Sequence, residues 1–190
     1  MKKVILVGLL LVSWVCAKSF EQVQSEWQQK MSAKSQEAMQ KWHQNEEVQR
    51  TIQHCQESMD KGACKRLFKL TIKSCNKGET LSCYTATRAY LDGGGEMWEV
   101  SPDLKKAQSY ADKVCSMDAV FCANMALLFF QYEDIKLTLK YAEKACEMGE
   151  LYGCVLAYAG FNDDIDENPQ KIKYYADKLC KGGASEVCGK

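Results

Sequence analysis

Histidine and proline are scarce in this chain, with two of each among 190 residues. His43 and His54 cannot supply the histidine cluster that a catalytic zinc site requires. An excess of either charge is also missing: 25 basic groups face 25 acidic ones. That balance argues against a nucleic-acid partner, which favours a basic surface, and gives no reason to expect binding to acidic membranes. Beyond residue 17 there is no long apolar run, so no stable membrane insertion is expected.

The one apolar stretch, Val4 to Val15, follows Lys2 and Lys3 and is too short to span a bilayer comfortably. With Val15-Cys16-Ala17 behind it, residues 1–17 read as a secretory signal cleaved near Ala17. Lipid attachment at Cys16 would call for a small residue just before it and a leucine-like one two places earlier, where Val15 and Ser13 stand. The expected product is periplasmic or secreted, with 173 residues (190 − 17). Losing Lys2 and Lys3 takes the basic count from 25 to 23 against 25 acidic groups.

Cleavage would also remove one of eleven cysteines and leave an even ten. Those ten fall into close pairs: Cys55 with Cys64, Cys75 with Cys83, Cys115 with Cys122, Cys146 with Cys154, and Cys180 with Cys188. In an exported chain such pairs read as disulfides. Two residues eight apart on one helix lie ~12 Å apart along its axis, whereas a disulfide tolerates only about 4.4–6.8 Å between Cα atoms. If the pairs are bridged, the chain reverses direction inside each one. The gaps of six to eight residues are too wide for the usual zinc spacing, so neither metal nor cofactor is expected.

Laid over one another, the pairs reveal an internal repeat. Ser109-Tyr-Ala-Asp-Lys-Val-Cys115, Lys140-Tyr-Ala-Glu-Lys-Ala-Cys146 and Tyr174-Tyr-Ala-Asp-Lys-Leu-Cys180 share the frame Tyr-Ala-(Asp/Glu)-Lys-x-Cys. Gly78, Gly149, and Gly182 with Gly183, sit where a helix end turns through positive φ; the link between Cys115 and Cys122 has no glycine. Past each second cysteine runs a helical stripe of a small or linear residue and then an aromatic: Ala86 and Tyr90, Met125 and Phe129, Ala157 and Phe161. These read as core. Ser101-Pro102-Asp103 and Asn168-Pro169-Gln170 each place a capping side chain before a proline at a first helical position. Gly93-Gly94-Gly95 has no strand before it, as a phosphate loop would need, and reads as a connector.

This pattern resembles the Sel1-like repeat family, a relative of the tetratricopeptide repeats, and within it the Helicobacter cysteine-rich proteins. The resemblance covers about residues 53–190 and implies an all-α solenoid of helix hairpins stapled by disulfides. Where the family carries a glycine after the small residue of its first helix, this chain has Thr87, Ala126 and Tyr158. Three segments are expected: the signal 1–17, an amphipathic helix over 18–54, and the repeats 55–190. The repeats comprise a partial first unit, about three full units and a truncated last one. Phe20, Val23, Trp27, Met31, Ala38 and Trp42 share one face of the first helix, which is expected to fold back over the open end of the array.

The resemblance implies two function classes. As a protein- or peptide-binding module, the chain would use its concave face, at positions one, five and nine after each second cysteine and two before it. That nominates Tyr84, Arg88, Asp92, Gln131, Tyr152 and Asp163. Such proteins are also described as penicillin-binding or as β-lactamases, which makes a β-lactam the second ligand class. Ser74-Cys75-Asn76-Lys77 matches the serine-to-lysine spacing of serine β-lactamases, but the Ser-Asp-Asn and Lys-Thr-Gly elements are missing. Asp163, Asp164, Asp166 and Glu167 form an acidic run that reads as a solvated loop.

Overall fold

The computed structural model describes residues 18–94, 98–162 and 168–188. The signal segment 1–17 with Cys16, Gly95, and the acidic run from Asp163 to Glu167 lie outside the described residues. Among the described residues nine α-helices follow in order: α1 (Phe20–His43), α2 (Glu46–Glu57), α3 (Lys61–Asn76), α4 (Thr80–Asp92), α5 (Leu104–Met117), α6 (Ala119–Gln131), α7 (Ile135–Glu147), α8 (Leu151–Asn162) and α9 (Pro169–Lys181). A short 3-10 turn, Ser185–Val187, closes the described chain. From α2 on, each helix packs on the one before it, the architecture of an all-α helical repeat. Among the described residues no helix is long and apolar enough to cross a membrane.

Short polar side chains start the helices. Asn45, Asp60, Asp103, Asp118, Asp134 and Asn168 each accept a backbone N–H of the first turn, satisfying donors that have no intrahelical partner. Asn45 also corrects the first expected segment. It splits 18–54 into two helices, because Asn45 with Glu46 and Glu47 behind it is itself a helix start. Pro169 opens α9 behind Asn168 as the sequence predicts. Pro102 does not open α5: Asp103 is the cap, and its N–H donates to the Tyr90 carbonyl at 2.8 Å.

The five expected disulfides are all present. Cys55 is joined to Cys64 with a Cα–Cα separation of 4.7 Å, tying α2 to α3, and Cys75 to Cys83 at 4.6 Å, tying α3 to α4. Cys115 is joined to Cys122 at 4.5 Å and Cys146 to Cys154 at 4.5 Å, closing the corners between α5 and α6 and between α7 and α8. Cys180 of α9 is joined at 5.2 Å to Cys188, the residue that ends the closing 3-10 turn. In each case the chain reverses between the two cysteines, as the spacing requires.

The glycine three positions past the first cysteine makes the turn at three corners, with φ of 92° at Gly78, 89° at Gly149 and 92° at Gly183. Asp118 stands at that position between Cys115 and Cys122. It is extended and ends α5 while capping α6, so no glycine is required there. α3 carries Cys64 and Cys75, eleven residues and about three turns apart. One helix thus serves two staples, which is why Cys55 and Cys75, the first cysteines of two successive pairs, lie only 20 residues apart.

For the repeats, α4, α6 and α8 are the A helices and α5, α7 and α9 the B helices. The small-to-aromatic stripe of the A helices meets the Tyr-Ala frame of the B helices in three equivalent ring stacks. These are Tyr90 on Tyr110, Phe129 on Tyr141 and Phe161 on Tyr175, with centroids 5.6, 5.2 and 5.9 Å apart. The alanines of the frame, Ala111, Ala142 and Ala176, are buried and let the helices approach. α8 crosses α7 so closely that a Cβ on Gly153 would lie 2.6 Å from that of Ala145.

α1 does not cap the open end. Its 24 residues, ~36 Å long, run as a strap across the corners where the A helices begin. At one end Lys18 pairs with Ala184 in a single bridge, its N–H donating to the Gly183 carbonyl at 2.7 Å. At the other, the Trp42 indole N–H reaches Ser82 Oγ at 3.0 Å. The main core takes in Val23 and Trp27 of the strap, while Trp42 packs on a separate small core around Val48, Cys55, Cys64 and Leu67.

Candidate functional site

The nominated residues lie on the A helices, whose positions can be counted from the second cysteine of each corner: Cys83 on α4, Cys122 on α6 and Cys154 on α8. Four before it stand Glu79, Asp118 and Glu150; two before it stand Leu81, Val120 and Tyr152. One and five after it stand Tyr84, Ala123 and Val155, then Arg88, Leu127 and Ala159. α4 packs on α6 and α6 on α8, so equivalent positions form rows across the array.

The strap occupies the first two rows. Trp27 is buried, donates its indole N–H to the Val120 carbonyl at 3.1 Å, and stacks on Tyr152 with centroids 4.6 Å apart. Phe20 meets Tyr158 edge-on at 6.0 Å. Lys30 reaches the Glu150 carboxylate at 3.1 Å, Lys34 pairs with Asp118, and the Trp42 indole donates to Glu79 at 3.1 Å. Tyr152 is therefore not an open lining position. It is 6 % exposed, and burial pushes its phenol above the ordinary range. The amphipathic face of α1, legible in the sequence, is what covers it.

The later rows remain open. Tyr84 is half-buried, edge-on to Phe121 at 6.2 Å. Arg88 is exposed, with its guanidinium 3.8 Å from the Asp92 carboxylate. These three share a cleft of about 330 Å³ with Thr85, Gly94 and Trp98. Gln131 is exposed at the end of α6; Asp163 lies outside the described residues. A second, apolar cleft of about 190 Å³ opens between α6, α7 and α8, walled by Leu127, Leu139, Leu156 and Phe130. Phe130 is 56 % exposed at its edge.

Three features escaped the sequence reading. Trp98 borders the Arg88 cleft and packs against Phe68 at 5.5 Å, and its isolation beside a glycine run gave no periodic signal. Phe130 falls outside the core stripe that the sequence identified. The acidic row Glu79, Asp118 and Glu150 was legible once the cysteine pairs were aligned. Each residue sits at the start of an A helix, where a carboxylate favours the exposed N–H groups. Glu150 accepts from the Tyr152 N–H at 3.3 Å, and Asp118 from those of Val120 and Phe121.

The electrostatics are those of ion pairs. Where carboxylates shift they go down, as Glu99 does beside Lys65 and Glu147 beside Lys178; where lysines shift they go up, as Lys178 does through its bonds to Glu147 and Tyr174. An acid or base poised for proton transfer near neutrality would shift the other way. Ser74 lies in the last turn of α3, where its carbonyl accepts the Lys77 and Glu79 N–H groups at 3.0 and 3.1 Å, a helix-end role. Among the described residues no group of His, Cys, Asp and Glu side chains could hold a metal ion, and all ten cysteines there are paired. This face presents rings, one guanidinium and an apolar cleft. No protein-family profile, curated protein or solved structure matches the chain.

Proposed function

We propose that this chain is an exported Sel1-like repeat protein whose A-helix face binds an extended segment of another protein or a peptide. The open rows on that face carry the reading. They combine an exposed arginine in a cleft with Tyr84 and Trp98 and an apolar cleft one and two A helices away, where Phe130 stands exposed. Aromatic and arginine side chains at a cleft are favoured anchors of protein interfaces. Five disulfides support an oxidising compartment.

A peptide array probed with the oxidised chain tests this reading. Captured peptides should lose affinity about tenfold or more on Arg88→Ala and Tyr84→Ala. Capture indifferent to both, and to Leu127→Asp, would remove the face from consideration. A chromogenic β-lactam is the counter-test: turnover abolished by Ser74→Ala would replace the binding reading with hydrolysis.

A further inference from the structure

The row of corners beneath α1 is already a filled helix-binding groove, and its occupant shows what it accepts. Val23 and Trp27 are the only strap side chains buried among the described residues. Trp27 lies on Tyr152, while Lys30 and Lys34 meet Glu150 and Asp118. Glu150 is only 4 % exposed, and Lys30 is the one cation that reaches its carboxylate among the described residues. The groove thus combines an aromatic floor, a backbone acceptor at Val120 and two carboxylates one turn apart along the strap. Its natural complement is an amphipathic helix with an indole at one position and lysines three and seven positions later.

Among the described residues no disulfide holds that complement in place. Each of α2 to α9 carries a disulfide cysteine, whereas α1 carries none and joins the rest through Gln44 and Asn45. We infer that the corner row Glu79, Asp118, Glu150, Val120 and Tyr152 is a receptor for a lysine-bearing amphipathic helix of a partner protein, occupied in cis by α1 until such a helix displaces it. The site is separate from the open rows around Arg88, so its failure and theirs are read by different substitutions.

The test uses the full oxidised chain and a fluorescein-labelled peptide of residues 18–44 as the probe. Trp27→Ala in the chain weakens the resident strap, and the wild-type peptide should then bind about tenfold tighter than it binds the unaltered chain. The same peptide carrying Trp27→Ala should lose about tenfold or more. Adding Glu150→Gln to the chain keeps an oxygen for the Tyr152 N–H but removes the charge facing Lys30, so affinity should fall and depend less on salt. An unchanged melting temperature of the stapled array in both chain variants separates loss of the site from loss of the fold. Failure of the peptide to bind the Trp27→Ala chain would overturn the inference. So would binding that ignores Glu150 and the peptide's indole, or the finding that only the α1 of a second copy, exchanged in a dimer, enters the groove.

Discussion

The strap and the stapled array are both helical and amphipathic, yet they are held by different means. From α2 to α8 every helix is tied to a neighbouring helix by sulfur and α9 to the closing turn, and the rings between A and B helices stack at each repeat. α1 relies on two buried side chains, a few ion pairs and a bridge at Lys18. Closing a loop of about eight residues contributes about 2.5 kcal/mol on the chain-entropy account, while burying one large apolar side chain contributes about 1.5–3 kcal/mol. The comparison teaches that order in the array is largely built into its unfolded state, whereas order in the strap depends on docking.

Reduction should break that distinction most completely. With all five bonds open, the repeats keep only their packing against neighbours, and five losses of about 2.5 kcal/mol rival the ~5–15 kcal/mol stability of an ordinary domain. The oxidised chain is expected to melt well above the reduced one, measured by circular dichroism with and without reductant. Equal melting temperatures and equal helical signal would show that the bonds are decorative.

Two truncations come next in size and should act on different parts. Phe129 is fully buried on Tyr141, so Phe129→Ala is expected to cost about 3–5 kcal/mol and lower the melting temperature of the array. Trp27→Ala should instead loosen the strap alone, because the helices beneath it remain stapled. Trypsin would then cut faster at Lys30, Lys34 and Lys41, with the stapled part surviving as one fragment. A Trp27→Ala chain digested evenly along its length would erase the boundary between strap and array.

That boundary was half legible in the sequence. The cysteine pairs announced the corners because geometry forbids bridging eight residues along a straight helix, and Cys83, Cys122, Cys154 and Cys188 each meet the partner that spacing assigned them. The Tyr-Ala frame with the small-to-aromatic stripe announced the core. Both signals are local and periodic. The face of α1 was equally plain at Phe20, Val23, Trp27 and Met31, but the surface it meets was not. Val120, Tyr152 and Gly183 lie 93 or more positions from their strap partners in sequence, and periodicity carries no information on such pairings. For the same reason Tyr152 read as open when it is covered, and Asn45 as mid-helix when it starts a new one.

Alkaline titration sharpens the contrast from the side of the array. Burial, then the neighbouring Glu143 charge, raises the Tyr175 phenol well above its ordinary value of 10.0; burial and Asp112 do the same to Tyr141. A raised folded value means that stability is intact below about pH 10 and is lost as pH climbs toward the folded value. Phenolate absorbance should therefore lag behind that of free tyrosine and then rise together with loss of helix. Tyr175→Phe, which cannot ionise, is expected to move that midpoint upward.

The smallest effect lies in the ladder between B helices. Lys178 on α9 hydrogen-bonds the Glu147 carboxylate of α7 at 2.8 Å, and this bond holds the Glu147 carboxyl below the usual carboxylate range; the Tyr174 hydroxyl, also at 2.8 Å, adds to it. A depressed folded value gives stability that is present above the ordinary 4.5 and disappears as pH falls through the lower, folded value. The pair is half exposed and screened, so Glu147→Gln should cost less than about 1 kcal/mol at pH 7 and nothing in strong acid. Glu37 on the strap has a comparable bond to Lys41, but both belong to α1 and both are exposed. Glu37→Gln should leave the array's melting temperature unmoved at every pH, because a pair within one undocked-or-docked helix ties that helix to nothing. Matching acid profiles for the two substitutions would mean that strap and array unfold as one body, and the division between them would fall.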